Sequence, residues 1–348
     1  MPIQTIGILS PGDMGQAIAA VLNQHGLKTI AALNDRSERT RQLAAAANIQ
    51  DVGSLTQLVI ESDVVLSVLV PAAATQAAKQ VAEAISNVGK PILYVDCNAI
   101  APQKVINIGQ LIESVGGTFV DASIIGPPPR VPNRTRIYTS GKQANQLLQL
   151  RDYGLDVRVI GEEIGQASGL KMSYAALTKG LTAIGTELLI AAHRLGLDKE
   201  LWDEVSSSQK ELASILTRSI PSMTPKAHRW IGEMEEIAET FKELGLTERI
   251  FDGAADVYRL VKDTSLGKET PEESNRDRPW MKSLQSSPMK QFPTPNLEYF
   301  FPNHPALLPS SPCLLPPASI LNSFHWQTDN ECCPLSNSWT FSRDCATV

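Results

Sequence analysis

Short apolar runs and longer amphipathic stretches alternate along the first 160 residues of the chain. The short runs are typical of parallel strands, because residues 63–70 (DVVLSVLV) are apolar almost throughout, as in a strand buried on both faces. The alanine-rich stretch 72–86 and its counterparts are typical of helices. Strands are predicted from residue 5 and at 29–33, 51–52, 63–70, 91–95, 119–125, 135–139 and 157–160, and helices at 16–22, 38–47, 54–61, 72–86, 102–112 and 142–150. This alternation predicts an α/β fold, a Rossmann-type doubly wound parallel sheet that binds its ligand at the carboxyl ends of its strands.

The strand pattern stops at Ile164 and is replaced by helical periodicity. Residues 165–195 form one helical pattern, suited to a long helix that joins two domains, and further helices are predicted at roughly 198–218, 224–244 and 247–263. Twelve of the 23 prolines and four of the five cysteines follow residue 270. We therefore predict a nucleotide-binding domain at 1–163, a smaller all-helical domain at 164–266 and a low-complexity, disordered segment at 267–348.

Composition narrows the class of protein. The 348 residues carry a formal net charge of −6 and no basic stripe, so nucleic acid is not an expected partner. A strand already begins at residue 5, so we expect no signal peptide, and no apolar run is expected to be long enough to cross a bilayer. Cys97 is the only cysteine before residue 313, which favours a cytoplasmic setting. We expect no metal, because the spacing of the later candidates fits no zinc pattern: Cys332, Cys333, Cys345 and His325.

The first predicted strand runs into a glycine-containing turn and then a helix. Unpaired amides at a helix start, together with the positive end of the helix dipole, favour a diphosphate, and glycine lets it approach the backbone. The G-x-G-x-x-G motif has serine in its first position here. The candidate cofactor-binding residues of this turn are Ser10, Pro11, Gly12, Asp13, Met14 and Gly15.

The end of the second predicted strand bears on the choice of cofactor. Asp35 lies twenty positions after Gly15, where an acid accepts hydrogen bonds from a free ribose 2′-hydroxyl. Arg36, Ser37 and Arg39 follow it and suit a 2′-phosphate, so NADP is favoured and NAD stays possible. The alternative is a solvated helix start in which Ser37 caps the helix and the arginines lie in water.

Three further motifs extend the pattern. They are Val70-Pro71, the segment Asp96-Cys97-Asn98 with Pro102, and the stretch 165–172 (GQASGLKM). With the glycine turn, they resemble the β-hydroxyacid dehydrogenase superfamily, which includes 6-phosphogluconate and 3-hydroxyisobutyrate dehydrogenases. Residues 229–266 look like the small helical domain of a poorly characterised branch. The resemblance implies that Val70, Pro71 and Asn98 lie on the cofactor side.

The lysine of the last motif is the candidate catalytic group. Burial and a positive helix start both disfavour an ammonium, so the pKa of Lys171 is expected near neutrality, as acid–base catalysis requires. The resemblance implies that Lys171 is the catalytic acid or base; the alternative is an ordinary surface lysine. Tyr174, one helical turn on, either relays the proton or packs in the core. Lys179 either meets an anionic group or lies on a solvated face, which is favoured, and His228 and Arg229 either face the cleft or start a helix.

Departures from the superfamily pattern concern the substrate. Ala175 stands where the superfamily commonly has asparagine, and Ile125-Gly126-Pro127 replaces its S-G-G loop. Three consecutive prolines remove amide donors that could hold a carboxylate, so a phosphorylated sugar acid is not expected. Ile125, Gly126, Pro127 and Lys179 are the candidate substrate-binding residues. A less polar or differently anchored carbonyl compound, or an imine, fits better.

We therefore expect an NADP-dependent oxidoreductase that acts on a small hydroxy acid or carbonyl compound. The alternatives are an imine reductase-like enzyme and a catalytically inactive NADP-binding sensor, suggested by the missing asparagine and the proline-rich loop. The predicted helical domain is too small to cover the long helix, so a homodimer is expected.

Overall fold

Eight strands form one sheet, in a computed structural model that describes residues 2–269. Their order is β3-β2-β1-β4-β5-β6-β7-β8, and all neighbouring strands are parallel except β6 and β7. The strands are β1 (Thr5–Ile8), β2 (Lys28–Ala31), β3 (Gln50–Asp51), β4 (Val64–Ser67), β5 (Leu93–Asp96), β6 (Thr118–Ile125), β7 (Arg136–Ser140) and β8 (Asp156–Gly161). Since β1 to β6 run in one direction, their carboxyl ends share one edge of the sheet, and the chain order reverses between β1 and β4.

In the first half of the chain, helices alternate with the strands and pack on the sheet. From residue 166 to residue 269, the regular elements are helices. Those of the first half are α1 (Asp13–Gln24), α2 (Glu38–Ala46), α3 (Leu55–Glu61), α4 (Pro71–Val88) and α5 (Pro102–Ser114). Those of the second half are α6 (Gln166–Leu195), α7 (Asp198–Ser208), α8 (Lys210–Met223), α9 (Ala227–Glu243) and α10 (Arg249–Lys262). Local sequence explains several of these boundaries, because proline occupies the first turn of α4 and α5, and Ser37 and Ser54 cap α2 and α3. The predicted fold, a Rossmann sheet followed by helices, is confirmed.

Three apolar clusters make up the core. One contains Ile6, Ile18 and Val120 and lies where α1 meets the sheet, and a second contains Tyr94 and Phe119 with apolar residues of α3, α4 and α5. The buried residues of the third lie in α6, α8, α9 and α10, and Ala99 after β5 and two residues of α7 pack against them. Burial on both faces explains why β1, β4 and β5 are largely apolar, and the third cluster explains the helical periodicity of the second half.

The long helix α6 spans 30 residues and connects the sheet to the helical half. It contains an 18-residue window with a mean hydropathy of 1.3, so by length and composition it could cross a membrane, and the expectation that no apolar run is long enough was wrong. More than half of that window is buried inside the protein, as in the core helix of a soluble protein. Its apolar residues pack against α8, α9 and α10.

Three predicted elements differ from those in the structure. The strand predicted at 63–70 ends at Ser67, because the amide of Leu69 leaves the sheet and donates to Asn98 Oδ1 at 2.6 Å. Residues 144–151 form a 3₁₀ helix and not an α-helix. The helix predicted at 198–218 breaks at Gln209, after the hydroxyls of Ser207 and Ser208 bond the carbonyl of Glu204.

The predicted domain boundary between residues 163 and 164 stays a prediction. Leu266–Lys268 form a 3₁₀ turn with Gly267 buried, so the folded part continues just past the predicted end of the helical domain. The rest of the segment 267–348, including the cysteines and the histidine considered for a metal, lies outside the described residues.

Candidate functional site

The turn between β1 and α1 is built for close approach of a ligand. Helix α1 begins at Asp13 with no side-chain cap, which leaves its first amides available. A Cβ on Gly12 would meet nothing within 4 Å, so the space in front of this residue is open. A Cβ on Gly15 would lie 2.8 Å from the Ser10 carbonyl oxygen, so glycine is required for the turn to close on the helix. Pro11 is buried below the turn, and Met14 packs on the core.

Arg130 ties a distant loop to this turn. Its Nη2 donates to Asp13 Oδ1 at 2.5 Å, and both side chains are about half exposed. Arg130 belongs to the proline-rich loop between β6 and β7, more than a hundred residues from Asp13 along the chain. The pair places a guanidinium beside the start of α1, a position that no local pattern in the sequence indicates.

The residues after β2 carry the candidate ribose contacts. Ser37 accepts a hydrogen bond from the Thr40 amide at 3.3 Å and so caps α2, as the alternative interpretation expected. Arg36 does not simply lie in water, because its Nη2 donates to the Leu9 carbonyl at 3.3 Å, at the end of β1. Asp35 is exposed, with a left-handed φ of 62°. The guanidinium of Arg36 therefore lies next to the glycine turn.

Asn98 joins the carboxyl ends of β4 and β5. Its Nδ2 donates to Ser67 Oγ at 2.9 Å and to Asp96 Oδ2 at 3.0 Å, while Oδ1 accepts from Leu69. Burial raises the pKa of Asp96 to about 7, against the two hydrogen bonds from Asn98. Both Nδ2 hydrogens and one lone pair of Oδ1 are used within the protein, and a role for Asn98 in binding the cofactor stays a prediction. Val70 and Pro71 come directly after Leu69 in the chain. They are the cap and the first residue of α4, and they stay near the surface.

A buried carboxylate from the sheet holds the start of α6. Asp121 on β6 accepts hydrogen bonds from the Gly165 amide at 2.9 Å and from the Ser168 amide at 3.0 Å and hydroxyl at 2.6 Å. Ser140 on β7 donates to the same carboxylate at 3.1 Å. Gly165 has a φ of 103° and supplies no cap of its own, so Asp121 serves as the cap. This contact fixes α6 against the sheet.

Lys171 lies at the carboxyl edge of the sheet. Its Nζ donates to the Ile124 carbonyl at 2.6 Å, one residue before the end of β6. Burial, and then the positive charge of Arg229, lower the pKa of Lys171 to about 8. The positive end of α6, which was expected to lower this pKa, is occupied by the carboxylate of Asp121, and Arg229 is the second cause.

The candidate substrate loop starts beside Lys171. Gly126 has a φ of 130°, and a Cβ there would lie 2.2 Å from the Arg134 carbonyl oxygen, so only glycine fits. Ile125 is buried, and the Pro127 carbonyl accepts from Thr135 Oγ1 at 2.5 Å, which folds the loop back on itself. Tyr174 is 46% exposed, so core packing is excluded as its role, and its hydroxyl makes no hydrogen bond within residues 2–269.

Lys179 is buried, which contradicts the favoured solvated face. It contacts Glu233 Oε2, and only about a tenth of each side chain is exposed. Its Nζ also lies 5.2 Å from the centre of the Trp230 ring. Burial, and then the charges of Lys171, Arg229 and Lys226, lower the pKa of Lys179. The sequence reasoning missed Glu233, although its position one turn after Arg229 was a usable signal.

The comparisons with known proteins agree with this geometry. Residues 5–149 match the NAD binding domain of 6-phosphogluconate dehydrogenase, and residues 192–261 match a domain of unknown function. An uncharacterised 28.5 kDa protein of Methanothermus fervidus is 30% identical over 239 residues, which cover 68% of this chain and 89% of that protein. A solved structure of a conserved protein of unknown function, reported as similar to 3-hydroxyacid dehydrogenases, is 30% identical with a TM-score of 0.59; the match covers 74% of this chain and 97% of that one.

The chain belongs to the β-hydroxyacid dehydrogenase superfamily. The resemblance inferred from the sequence motifs is therefore confirmed, and so is the presence of an NAD(P)-binding domain. Mitochondrial 3-hydroxyisobutyrate dehydrogenase of Drosophila melanogaster is 24% identical over 287 residues, which cover 76% of this chain and 86% of that protein. Membership assigns this β-hydroxyacid dehydrogenase homologue to a family of NAD(P)-dependent oxidoreductases, and its substrate has to be argued from its own residues.

Proposed function

We propose that this protein is an NADP-dependent oxidoreductase that transfers a hydride between the nicotinamide and a small hydroxy acid or related carbonyl compound. The observation that carries the proposal is Lys171, a half-buried lysine with a pKa of about 8 whose ammonium donates to the Ile124 carbonyl at the carboxyl edge of the sheet. An amine in this pKa range can both accept and donate a proton near neutral pH. The homodimer and the cytoplasmic setting stay predictions from the sequence.

The residues at the β1–α1 turn fit a dinucleotide. The open space in front of Gly12, the uncapped start of α1 and the nearby guanidinium of Arg130 suit a diphosphate. Arg36, held at the end of β1 by the Leu9 carbonyl, supports NADP because it is placed near the expected adenosine ribose. Ser37 supports it less, since its hydroxyl already caps α2.

The chemistry divides between the cofactor and the chain. The nicotinamide, when bound, supplies or accepts the hydride. Lys171 takes the proton from the substrate hydroxyl during oxidation and returns it to the carbonyl oxygen during reduction. The Ile124 carbonyl accepts one of its three N–H bonds and so fixes the direction of the remaining two. Tyr174 lies one turn away with an exposed phenol that can exchange protons with water.

The replacement Lys171→Met tests the proposal. We expect turnover to fall about 10²- to 10⁴-fold, as for the loss of a general acid–base group. The dissociation constant for NADPH, measured by fluorescence titration, should stay near that of the wild type. Lys79→Met, which removes an exposed lysine of α4, is the matched control and should leave both quantities unchanged.

The assay panel pairs small hydroxy acids with their keto forms and adds cyclic imines. Turnover of imines alone would favour the imine reductase-like alternative. Binding of NADPH without turnover of any compound would favour the sensor. Unchanged turnover in Lys171→Met would contradict the assigned role of this lysine.

A further inference from the structure

Helices α6 and α9 bring an excess of positive charge beside the candidate catalytic amine. Lys171 and Lys179 lie two turns apart on α6, and Arg229 and Glu233 lie one turn apart on α9. These four side chains are three bases and one carboxylate, and the charge of Lys226 also acts on Lys179. Such an imbalance in a partly buried place favours an anionic ligand.

Glu233 is already committed to Lys179. Its Oε2 contacts the ammonium, and about a tenth of each side chain is exposed. Two further contacts keep Lys179 in place: its Nζ lies 5.2 Å from the Trp230 ring centre, and its backbone carbonyl accepts from the Tyr258 hydroxyl at 2.6 Å. The carboxylate therefore contacts Lys179 more closely than Arg229, whose Nη2 lies 3.9 Å from its other oxygen.

Arg229 keeps most of its hydrogen-bonding capacity. Among the described residues its one ion-pair contact is Glu233 Oε1 at 3.9 Å, beyond hydrogen-bond distance, and 54% of its side chain is exposed. Glu233 lies between Arg229 and Lys179, which joins Arg229 to the helix that carries Lys171, and the charge of Arg229 lowers the pKa of Lys171. The planar guanidinium fork matches a carboxylate through two parallel hydrogen bonds.

The loop after β6 offers little to an anion. Pro127, Pro128 and Pro129 have no amide hydrogen, and the next amide, that of Arg130, donates to the Pro128 carbonyl at 2.7 Å. The Arg130 side chain is turned to Asp13. A substrate carboxylate at the Lys171 end of β6 therefore finds no free amide donor among residues 127–130.

We propose that Arg229, contributed by the helical half, binds the carboxylate of the substrate and makes the site specific for small acids over neutral carbonyl compounds. This inference rests on the proposed function. In it, Lys179 and Glu233 are positioning residues: their ion pair holds α9 against α6 and keeps Glu233 from closing on Arg229.

The test compares binding of matched acid and neutral probes. The probes are 3-hydroxypropionate and 3-hydroxyisobutyrate, each with its primary amide, titrated into the NADPH-loaded protein and followed by nucleotide fluorescence. A hydroxy acid cannot be oxidised by NADPH, so these complexes report binding without turnover. Arg229→Gln removes the charge, Arg229→Lys keeps the charge without the fork, and Arg218→Gln removes an exposed arginine of α8 as the matched control.

We expect the wild type and Arg218→Gln to bind at least one acid about 10-fold or more tightly than its amide. Arg229→Gln should lose that preference through weaker acid binding alone, with NADPH affinity unchanged, and Arg229→Lys should fall between. Equal acid binding in Arg229→Gln and wild type overturns the inference, as does a wild type that binds NADPH but shows no preference for, or no binding of, either acid. A wild type that does not bind NADPH overturns the proposed function as well, so the two failures are distinguishable.

Discussion

Asp13 and Arg130 form an ion pair at the place where a cofactor diphosphate is expected. A carboxylate at a helix start opposes an anionic ligand, and Arg130 both neutralises it and brings four further N–H donors nearby. Arg130→Gln should therefore raise the dissociation constants for NADPH and NADH by a similar factor, about 3- to 10-fold, because the diphosphate is common to both. Fluorescence titration with each nucleotide measures this, and a change confined to one of them would contradict it.

Arg36 should contribute to the binding of NADPH but not to that of NADH. Arg36 follows β2, where the 2′-phosphate of NADP is expected and the 2′-hydroxyl of NAD offers no charge, and its guanidinium is held in place by the Leu9 carbonyl. Arg36→Gln should weaken NADPH about 10-fold and leave NADH nearly unchanged. The same titration checks this, and Arg130→Gln is its control because that variant should affect both nucleotides. Equal losses for the two nucleotides in Arg36→Gln would contradict a contact between Arg36 and the 2′-phosphate.

At single positions, the sequence predicts a side chain best when its partners are close along the chain. The roles of Gly12, Gly15 and Ser37 could be predicted, because each depends only on the turn or helix start that contains the residue. Lys179 was placed on a solvated face because its partner Glu233 lies 54 residues later, on a helix whose packing no local pattern reveals. The depressed pKa of Lys171 was anticipated, but the contribution of Arg229 was not, for the same reason.

At the scale of elements, α9 caps a helix of the nucleotide-binding half. Glu236 accepts from the Ala101 amide at 2.9 Å, at the start of α5, and from Lys104 Nζ at 2.7 Å. Glu236→Ala should destabilise the protein by about 1–2 kcal/mol, the usual cost of a lost helix cap, and lower Tm by about 2–4 °C. Thermal unfolding followed by circular dichroism measures the shift.

Glu236→Gln separates the cap from the ion pair, because glutamine still accepts a hydrogen bond but carries no charge. Its Tm should lie closer to that of the wild type than the Tm of Glu236→Ala. Glu239→Ala, on the same helix, is the control. If all three variants unfold at the wild-type temperature, the contact between α9 and α5 does not stabilise the fold.

A strand or helix could be predicted from the sequence where its own residues mark its beginning and its end. Pro71 and Pro102 mark the starts of α4 and α5, and apolar runs mark the strands. The errors have a common physical origin in side-chain contacts with the backbone: Asn98 ends β4 early, and Ser207 and Ser208 interrupt the helix predicted at 198–218. The cap of α6 is equally hidden, since Asp121 lies 44 residues before Gly165.

For the whole molecule, the nucleotide-binding half could be predicted almost completely and the substrate side only in part. The Rossmann half follows from local alternation and one glycine turn, because consecutive strands and helices are also neighbours in space. The candidate substrate side needs α9 to meet α6, and that pairing depends on apolar packing between segments far apart in the chain. The identity of Arg229 as a candidate anchor becomes visible only in the folded structure.

The pH dependence of activity tests Lys171 on α6 and Arg229 on α9 in the same measurement. Oxidation needs the neutral amine of Lys171, so kcat/KM for a hydroxy acid should rise with pH through about 8, whereas reduction needs the ammonium and should fall above it. Arg229→Gln removes a positive charge that disfavours the ammonium, so the pKa of Lys171 should rise and both profiles should move to higher pH. Arg218→Gln should leave them in place. If Arg229→Gln leaves the profiles unmoved or moves them to lower pH, helix α9 does not set the protonation of the catalytic amine.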